Sequence, residues 1–304
     1  MVYYIGIDGG GTKTSFSCYN DEGEHLATVE LGTTHVAQVT DEEAQKILKT
    51  GVMTLLKELS INPEAAIVKI GAGLAGYGIN QLFREKIERN CQSAFSGFTY
   101  VISNDAEVAL LGALDGRDGI LLVAGTGSIG YAKENEAFYR VGGWGNVLGD
   151  EGSAFWIAKQ ILHTFTCQSD GRLPRTALYQ LVKDTLQLTH DGDIVKYAAD
   201  HLYSERTKTA QLAKLGEVLL QANDPSMAEI YREAGKQLAT LANALAKQFN
   251  TSQAVIPVST IGGVWKAGEV LTKSFQNHLE IGLKYTPAQY SATYGAYLLA
   301  KHRL

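Results

Sequence analysis

Three consecutive glycines follow a short apolar segment near the start of the chain. Residues without side chains let successive backbone N–H groups converge on one point, and such a concave group of amides binds phosphate. The threonine and lysine that follow add a hydroxyl and a positive charge. A plain hairpin is the alternative, but it needs fewer than three glycines. The candidate phosphate ligands are Gly9, Gly10, Gly11, Thr12 and Lys13.

Asp8 stands directly before these glycines, at the end of the strand that we predict for residues 2–8. A carboxylate at this position could hold Mg²⁺, directly or through water, because Mg²⁺ prefers oxygen ligands. The loop is not a Walker A P-loop, since the G-K-[ST] order is absent and a strand rather than a helix follows. Asp8 is therefore the candidate metal ligand.

A second glycine loop follows the apolar strand predicted for residues 119–123. Its Gly125, Thr126 and Gly127 begin a G-x-G-x-x-G sequence, which in a dinucleotide-binding fold opens a helix. Here residues 131–140 have the pattern of a hairpin, so we interpret the loop as a second phosphate-binding hairpin. A third pair, Gly262 and Gly263, follows a late strand and allows the close approach of a flat base or a ribose.

The order of the predicted elements repeats along the chain. The first thirty residues read as strand, glycine turn, strand, polar turn, strand, and the same plan begins again at residue 119. A long helical region then covers roughly residues 153–250, and a helix is predicted for residues 265–275. We predict an N-terminal domain at 1–116 and a C-terminal domain at 117–290 with a helical insertion. The terminal helix at 291–304 is able to pack back on the N-terminal domain.

The composition excludes several classes of partner. A chain of 304 residues favours two domains, and its net charge of -5 disfavours nucleic acid and anionic membranes, from which it cannot release counterions. The first residues lack the basic start and apolar core of a signal peptide. The cysteines, Cys18, Cys91 and Cys167, are too scattered for a disulfide framework or a metal site, which favours a reducing compartment.

The segment at residues 142–157 reads GGWGNVLGDEGSAFWI. With the two glycine hairpins and the late Gly-Gly turn, it closely resembles the N-acetylglucosamine kinase branch of the BadF/BadG/BcrA/BcrD ATPase family, within the actin/hexokinase/Hsp70 ATPase superfamily. The resemblance implies an α/β fold of two RNase H-like (actin-like ATPase) domains with an interdomain cleft. It also implies a cytoplasmic kinase that uses ATP and Mg²⁺ to phosphorylate an amino sugar, most simply N-acetylglucosamine at the 6-hydroxyl.

The resemblance also implies roles for individual residues. Asp105 matches the catalytic aspartate that takes the proton of the sugar hydroxyl as its oxygen attacks the γ-phosphate. An acid that caps the helix predicted to begin at Ala106 is the alternative interpretation. Ala210 matches a position beside the adenine. The residues that match sugar contacts are Thr34, Gly143, Trp144, Gly145 and Asp150.

Thr34 departs from the family pattern, because relatives carry asparagine where this chain has threonine. A threonine hydroxyl offers one donor, whereas an amide offers both an NH₂ group and a carbonyl oxygen. Glucosamine and N-acetylmuramic acid therefore remain alternative substrates. The expected partners are a small-molecule amino sugar and a second copy of the chain in a homodimer, with neither nucleic acid nor a membrane.

Two other classes of protein compete with the kinase. Some relatives are ATPases that activate a redox enzyme and hold an iron–sulfur cluster through cysteines at a dimer interface. The cysteines of this chain lie in segments that do not suggest such a cluster. Other superfamily members are sugar-sensing repressors with an N-terminal DNA-binding module, which we do not expect before a strand that begins at residue 2.

Overall fold

Each half of the chain builds a mixed β-sheet. A computed structural model describes residues 1–78, 80–135, 137–250 and 255–304. Its contacts divide the chain into unit 1, Met1–Asp118 with Pro287–Leu304, and unit 2, Gly119–Thr286. None of the described helices is both long enough and apolar enough to cross a membrane.

Unit 1 begins with three antiparallel strands and continues with alternating helices and strands. Its elements are β1 (Val2–Gly9), β2 (Lys13–Asn20), β3 (His25–Gly32), α1 (Asp41–Glu58), β4 (Ile67–Leu74), α2 (Gln81–Ala94), β5 (Thr99–Ser103) and α3 (Asp105–Ala113). The sheet order is β3-β2-β1-β4-β5, and β1, β4 and β5 are parallel. The carboxyl ends of these parallel strands therefore lie at one edge of the sheet.

Alternation along β1 decides which residues face which layer. Ile5 and Ile7 are fully buried in the core that includes Leu48 and Leu55 of α1. The intervening Gly6 and Asp8 point to the other face. Asp8 thus lies on the opposite side of the sheet from the α1 core, and this placement follows from the two-residue period alone.

The last helix of the chain, α10 (Ala292–Arg303), covers that other face of unit 1. Gly6 and Gly71 are neighbours in the β1–β4 register. A Cβ on Gly6 would overlap the carbonyl oxygen of Thr293, and one on Gly71 would overlap that of Ala296. The paired glycines therefore let the helix backbone lie directly against the sheet.

Unit 2 repeats the strand plan of unit 1. Its elements are β6 (Gly119–Ala124), β7 (Ser128–Glu134), β8 (Ala137–Gly142), α4 (Ala154–Ser169), α5 (Ala177–Leu186), α6 (Asp193–His201), α7 (Arg206–Gln221), α8 (Pro225–Ala246), β9 (Ile256–Ile261), a 3-10 helix (Gly263–Ala267), α9 (Glu269–Asn277) and β10 (Leu283–Tyr285). The order β10-β9-β6-β7-β8 is that of unit 1 with each strand replaced by its counterpart. The predicted repeat of the fold and the hairpin after residue 130 are confirmed.

The structure corrects one predicted helix. Residues 265–275 were expected to form a single helix, but a 3-10 helix ends at Ala267 and α9 starts at Glu269. Between them Gly268 has a φ of 105°, a left-handed value that interrupts helical hydrogen bonding. The long helical region predicted for roughly residues 153–250 is confirmed, and it consists of α4–α8, which fill the connection where unit 1 has only α1.

Candidate active site

Asp105 occupies the first position of α3, and another residue caps that helix. The side chain of Asn104 accepts a hydrogen bond from the Glu107 backbone N–H at 2.7 Å, as an N-cap does. Asp105 only accepts a bond from the adjacent Ala106 N–H through Oδ1, at 3.0 Å. The capping interpretation of Asp105 is therefore wrong, since Asn104 fills that role.

Two partly buried carboxyl groups in unit 1, those of Asp8 and Asp105, have raised pKa values. Burial raises the pKa of Asp8 to about 6, and the charge of Asp105 adds to the increase while Lys13 opposes it. Burial also raises the pKa of Asp105, against the effect of hydrogen bonds from the backbone and of nearby His35. Two carboxylates that repel each other in a desolvated site favour a bound cation or a shared proton. This end of unit 1 can thus bind Mg²⁺ or accept a proton.

The first glycine hairpin is stabilised by hydrogen bonds and packing contacts within unit 1. The Gly10 N–H donates to the Lys13 carbonyl at 3.0 Å, and the hydroxyl of Thr33 donates to the Gly10 carbonyl at 2.8 Å. A Cβ on Gly9 would lie 2.6 Å from Leu74 Cδ2. Gly9 is therefore required by close packing. Positive φ values are not found at Gly9 or at its two glycine neighbours.

The side chains of Lys13 and Thr34 have protein partners in unit 1. Lys13 forms an ion pair with Glu30 across β2 and β3, and both side chains remain more than half exposed. Thr34 is buried, with its hydroxyl 3.3 Å from that of Thr14. Thr12, by contrast, is exposed at the hairpin tip. Thr34 thus joins the end of β3 to the start of β2.

The second glycine hairpin rests on the beginning of α4. The Gly125 N–H donates to the Gly127 carbonyl at 2.9 Å. The carbonyls of Gly125 and Thr126 in turn accept hydrogen bonds from Ala154 and Phe155, at 2.9 and 3.3 Å. These two residues form the first turn of α4, whose amides have no partner within the helix. The hairpin is fixed by the helix end and keeps Gly125 in open space.

A cavity of about 340 Å³ lies in unit 2 beside this hairpin. It brings together predicted residues that are far apart in the sequence, namely Gly125, Thr126, Ala210 and Gly263. The remaining lining residues come mainly from α4 and α7: Ala154, Ile157, Thr207, Gln211, Ala213, Lys214, Glu217, Tyr231 and Val264. A lining that combines apolar and polar side chains suits a flat base and its ribose.

Gly262 lies between the end of β9 and Gly263, which lines the cavity. Its φ is 112°, in the region that favours glycine. A Cβ at this position would overlap the backbone carbonyl of Ala124, at the end of β6. Gly263, the next residue, has open space around its Cα. The Gly-Gly pair therefore combines one glycine needed for the turn with one that leaves room in the cavity.

Asp150 lies in unit 2 at the base of the second hairpin. It is 3% exposed and has a φ of 62°, an uncommon conformation for a residue with a side chain. Its Oδ1 accepts a hydrogen bond from the Ser128 N–H at 3.3 Å, and its Oδ2 lies 2.5 Å from Nη2 of Arg206. The carboxylate predicted to contact the sugar is thus occupied by the hairpin backbone and by an arginine.

The loop after β8 presents Trp144 to solvent. Gly143 and Gly145 on either side have φ values of 69° and 83°, which bring the indole out of the core. Trp144 is 70% exposed, and the guanidinium of Arg140 lies 5.2 Å from its ring centre. An exposed aromatic ring flanked by backbone amides suits the apolar face of a sugar.

Arg206 is the functional candidate that sequence reasoning missed. It lies in the helical insertion, away from each glycine motif, so spacing gave no reason to select it. The available signal was weak: a cation at the first position of a helix, where the helix dipole disfavours positive charge.

Both units have the same strand plan, which is that of an actin-like ATPase fold. Unit 1 carries a pair of partly buried carboxyl groups, and unit 2 has a cavity beside a glycine hairpin. The chain belongs to the BadF/BadG/BcrA/BcrD ATPase family, whose model matches residues 5–300. An N-acetylmuramic acid/N-acetylglucosamine kinase from Clostridium acetobutylicum is 28% identical over 99% of both chains. An N-acetyl-D-glucosamine kinase from Dictyostelium discoideum is 31% identical over 81% of this chain and 79% of its own length.

A solved structure shares the whole fold. The crystal structure of a Chromobacterium violaceum protein, provisionally assigned as an N-acetylglucosamine kinase, covers 98% of this chain and of its own. Its TM-score is 0.72 at 27% sequence identity. Similarity therefore extends over both units and the connecting insertion.

Proposed function

We propose that this protein is an ATP-dependent kinase that transfers the γ-phosphoryl group of ATP to the 6-hydroxyl of N-acetylglucosamine. The observation that carries the proposal is the cavity of unit 2, where a glycine hairpin, Ala210 and Gly263 meet around a space suited to a nucleoside. Kinases of N-acetylated amino sugars among the relatives support the choice of acceptor. Glucosamine and N-acetylmuramic acid are the alternative substrates.

The nucleotide is assigned to the cavity and the glycine hairpin of unit 2. Adenine and ribose occupy the cavity beside Ala210, and the phosphates extend along the amides of Gly125–Gly127. The backbone amides of Gly9–Thr12 in unit 1 are likewise assigned to phosphate oxygens. Lys13 reaches the phosphates when it leaves its solvent-exposed ion pair with Glu30, which costs little because such pairs are weak.

The Asp8 carboxyl group of unit 1 fits a magnesium ion. Asp8 offers oxygen ligands, and burial beside Asp105 raises its pKa to about 6, which supports the binding of a positive charge there. Mg²⁺ usually takes only one or two carboxylate ligands from the protein and the others from substrate phosphates and water. When bound, Mg²⁺ neutralises charge on the phosphate oxygens during transfer.

Asp105 acts as the general base. Its carboxylate is held at the start of α3 by hydrogen bonds from neighbouring backbone N–H groups, among them that of Ala106 to Oδ1 at 3.0 Å. Burial raises its pKa towards the range in which a carboxylate accepts a proton effectively near neutral pH. The proton moves from the hydroxyl to Asp105 as the oxygen bonds to the γ-phosphorus, and the bond to the β–γ bridging oxygen breaks.

The sugar is positioned mainly by residues near the second hairpin. Trp144 stacks on the sugar ring, while the backbone at Gly143 and Gly145 offers hydrogen bonds to hydroxyl or acetamido groups. Asp150 binds adjacent hydroxyls. Thr34 contributes at most one hydrogen bond, because its hydroxyl already interacts with that of Thr14.

An ADP-release assay over a panel of sugars tests this proposal. The panel consists of glucose, glucosamine, N-acetylglucosamine, N-acetylmannosamine and N-acetylmuramic acid, with the Asp105→Asn variant as the inactive control. N-acetylglucosamine should stimulate turnover most, and mass spectrometry of the product should locate the phosphate on O6. A panel in which no sugar stimulates ADP release would contradict the kinase assignment.

The competing redox activator makes a different prediction. It needs exposed thiolates to hold an iron–sulfur cluster, but Cys18, Cys91 and Cys167 are all buried. Burial raises the pKa of Cys18 to about 11 and that of Cys91 to about 12, so these thiols stay protonated. Anaerobically purified protein should therefore be colourless and free of iron. The homodimer and the cytoplasmic location stay predictions, and light scattering checks the first.

A further inference from the structure

One positive side chain lies between the second glycine hairpin and the buried carboxylate of Asp150. Arg206 opens α7, and its Nη2 is 2.5 Å from Asp150 Oδ2. The same guanidinium fills the space that a side chain on Gly127 would need. Arg206 thus contacts both a proposed phosphate-binding segment and a proposed sugar ligand, and all of these residues belong to unit 2.

Not every N–H donor of Arg206 has a hydrogen-bond partner among the described residues. Within the described residues its hydrogen bond is to Asp150, and its Nε is buried without a partner. A guanidinium has five N–H donors in a planar arrangement that matches two oxygens of a phosphate or a carboxylate. The helix end adds positive potential, because α7 has no side-chain N-cap hydrogen bond. An additional anion would therefore be favoured at this side chain.

The contact with Arg206 also closes off Asp150. The carboxylate is 3% exposed, with one oxygen on the Ser128 N–H and the other on the guanidinium. A sugar hydroxyl cannot reach it while the guanidinium and Gly127 cover it. Arg206 itself is 41% exposed on its side chain, so it has solvent space into which to move.

We propose that Arg206 is a positioning residue that couples nucleotide binding to sugar binding. Phosphate bound along Gly125–Gly127 attracts the Arg206 guanidinium away from Asp150. The carboxylate of Asp150 is then accessible and binds sugar hydroxyls. Thr207 and Ala210, on the same helix, line the nucleoside cavity, so one element carries both contacts. The inference rests on the proposed kinase function, and it makes the sugar the second substrate to bind.

Calorimetric titration of N-acetylglucosamine, with and without β,γ-imido-ATP and Mg²⁺, measures this coupling. Wild-type protein should bind the sugar at least about tenfold more tightly when the analogue is present, and linkage requires the same factor for the analogue when sugar is present. In Arg206→Met the sugar alone should bind nearly as tightly as to nucleotide-loaded wild type, the coupling factor should fall towards one, and the analogue should bind more weakly. Arg206→Lys should keep part of the coupling, because the charge remains.

Arg232→Met is the matched control, because Arg232 also forms a 2.7 Å ion pair, with Glu229, but on the exposed surface. It should leave the coupling factor unchanged. Wild-type protein that phosphorylates the sugar but binds it equally with and without the analogue would overturn the coupling and leave the kinase assignment intact. Full coupling in Arg206→Met would overturn it as well. A wild type that neither binds nor phosphorylates any sugar of the panel would instead overturn the proposed function.

Discussion

The two units place different charges beside their glycine hairpins. At the carboxyl end of β1, unit 1 gathers the carboxyl groups of Asp8 and Asp105, whose pKa values are raised by burial. In unit 2 the Asp150 carboxylate accepts a hydrogen bond from Ser128, the first residue of β7, but Arg206 neutralises its charge at 2.5 Å. Topology therefore fixes where functional groups lie, while the residues at the strand ends decide whether the place suits a cation or an anion.

The connection between the third and fourth strands explains a second difference. Unit 1 crosses with α1 alone, whereas the described part of unit 2 inserts α4–α8. Helix α7 of this insertion supplies one wall of the nucleoside cavity and also Arg206. We infer that unit 1 provides the reacting groups, and that unit 2 binds the body of the nucleotide.

Removal of the unit 1 base should have the largest effect. Asp105→Asn should lower kcat by about 10²–10⁴-fold, which is the usual contribution of a general base. Its affinity for β,γ-imido-ATP should stay within about threefold of wild type, because the nucleoside cavity lies in unit 2. Steady-state ADP release and calorimetry give the two values.

Asp105→Glu serves as the control for that measurement, since it keeps the carboxylate but moves it by one methylene. It should regain part of the lost activity. Near-normal turnover in Asp105→Asn would remove this residue from the mechanism and with it the contrast between the units.

A pair of glycine variants tests the construction of unit 2. Gly262→Ala should lower the free energy of unfolding by about 2–5 kcal/mol, because the new Cβ overlaps the Ala124 carbonyl and φ is 112°. Gly263→Ala, with nothing within 4 Å of the added atom, should change it by less than about 0.5 kcal/mol. Denaturant unfolding curves check both. Equal stability of the two variants would contradict the close approach of β9 to β6.

The raised pKa of Asp8 makes the stability of the protein depend on pH. The folded group has a pKa of about 6 against 3.8 for the free side chain, so the folded state binds more protons between these values. The free energy of unfolding should consequently fall as pH rises from about 4 to about 6, by up to about 3 kcal/mol for a pKa difference of about two. Asp8→Asn should be more stable than wild type at pH 7.5 and should lack this pH dependence.

Bound Mg²⁺ should offset the loss of stability that the ionised Asp8 causes. At pH 7.5, millimolar Mg²⁺ should raise the melting temperature of wild type but not that of Asp8→Asn, because a bound cation offsets the repulsion at the site. Wild-type stability that is flat between pH 4 and pH 6 would show that Asp8 is not desolvated in the folded protein.

The smallest effect concerns the ion pair beside the first hairpin. Lys13→Met and Glu30→Gln both break it, and each should leave stability nearly unchanged, since both side chains are over half exposed. Only Lys13→Met should raise the KM for ATP, by about 3–10-fold, because only Lys13 is assigned to the phosphates. Matching KM values for the two variants would limit Lys13 to its contact with Glu30.

The sequence predicted the local parts of this structure well, because their signals are local. Consecutive glycines after an apolar strand specified each hairpin. Gly9 is required because a side chain at this position would overlap Leu74. Its backbone angles do not require a glycine.

The parts that depend on distant contacts could not be derived in the same way. Arg206 and Asp150 are separated by an insertion whose helix packing no motif encodes, so their ion pair became visible only in three dimensions. Similarly, the capping role of Asn104 over Asp105 depends on a one-residue shift of a helix start, which lies below the precision of pattern reading.

A crystal structure with β,γ-imido-ATP, Mg²⁺ and N-acetylglucosamine would test the central proposal, that the backbone amides of the glycine hairpins bind the phosphates of ATP. We predict that amides of Gly9–Thr12 and of Gly125–Gly127 both lie within about 3.2 Å of phosphate oxygens. We also predict that the sugar 6-hydroxyl lies within hydrogen-bond distance of Asp105. Phosphates bound by only one of these hairpins would contradict the account.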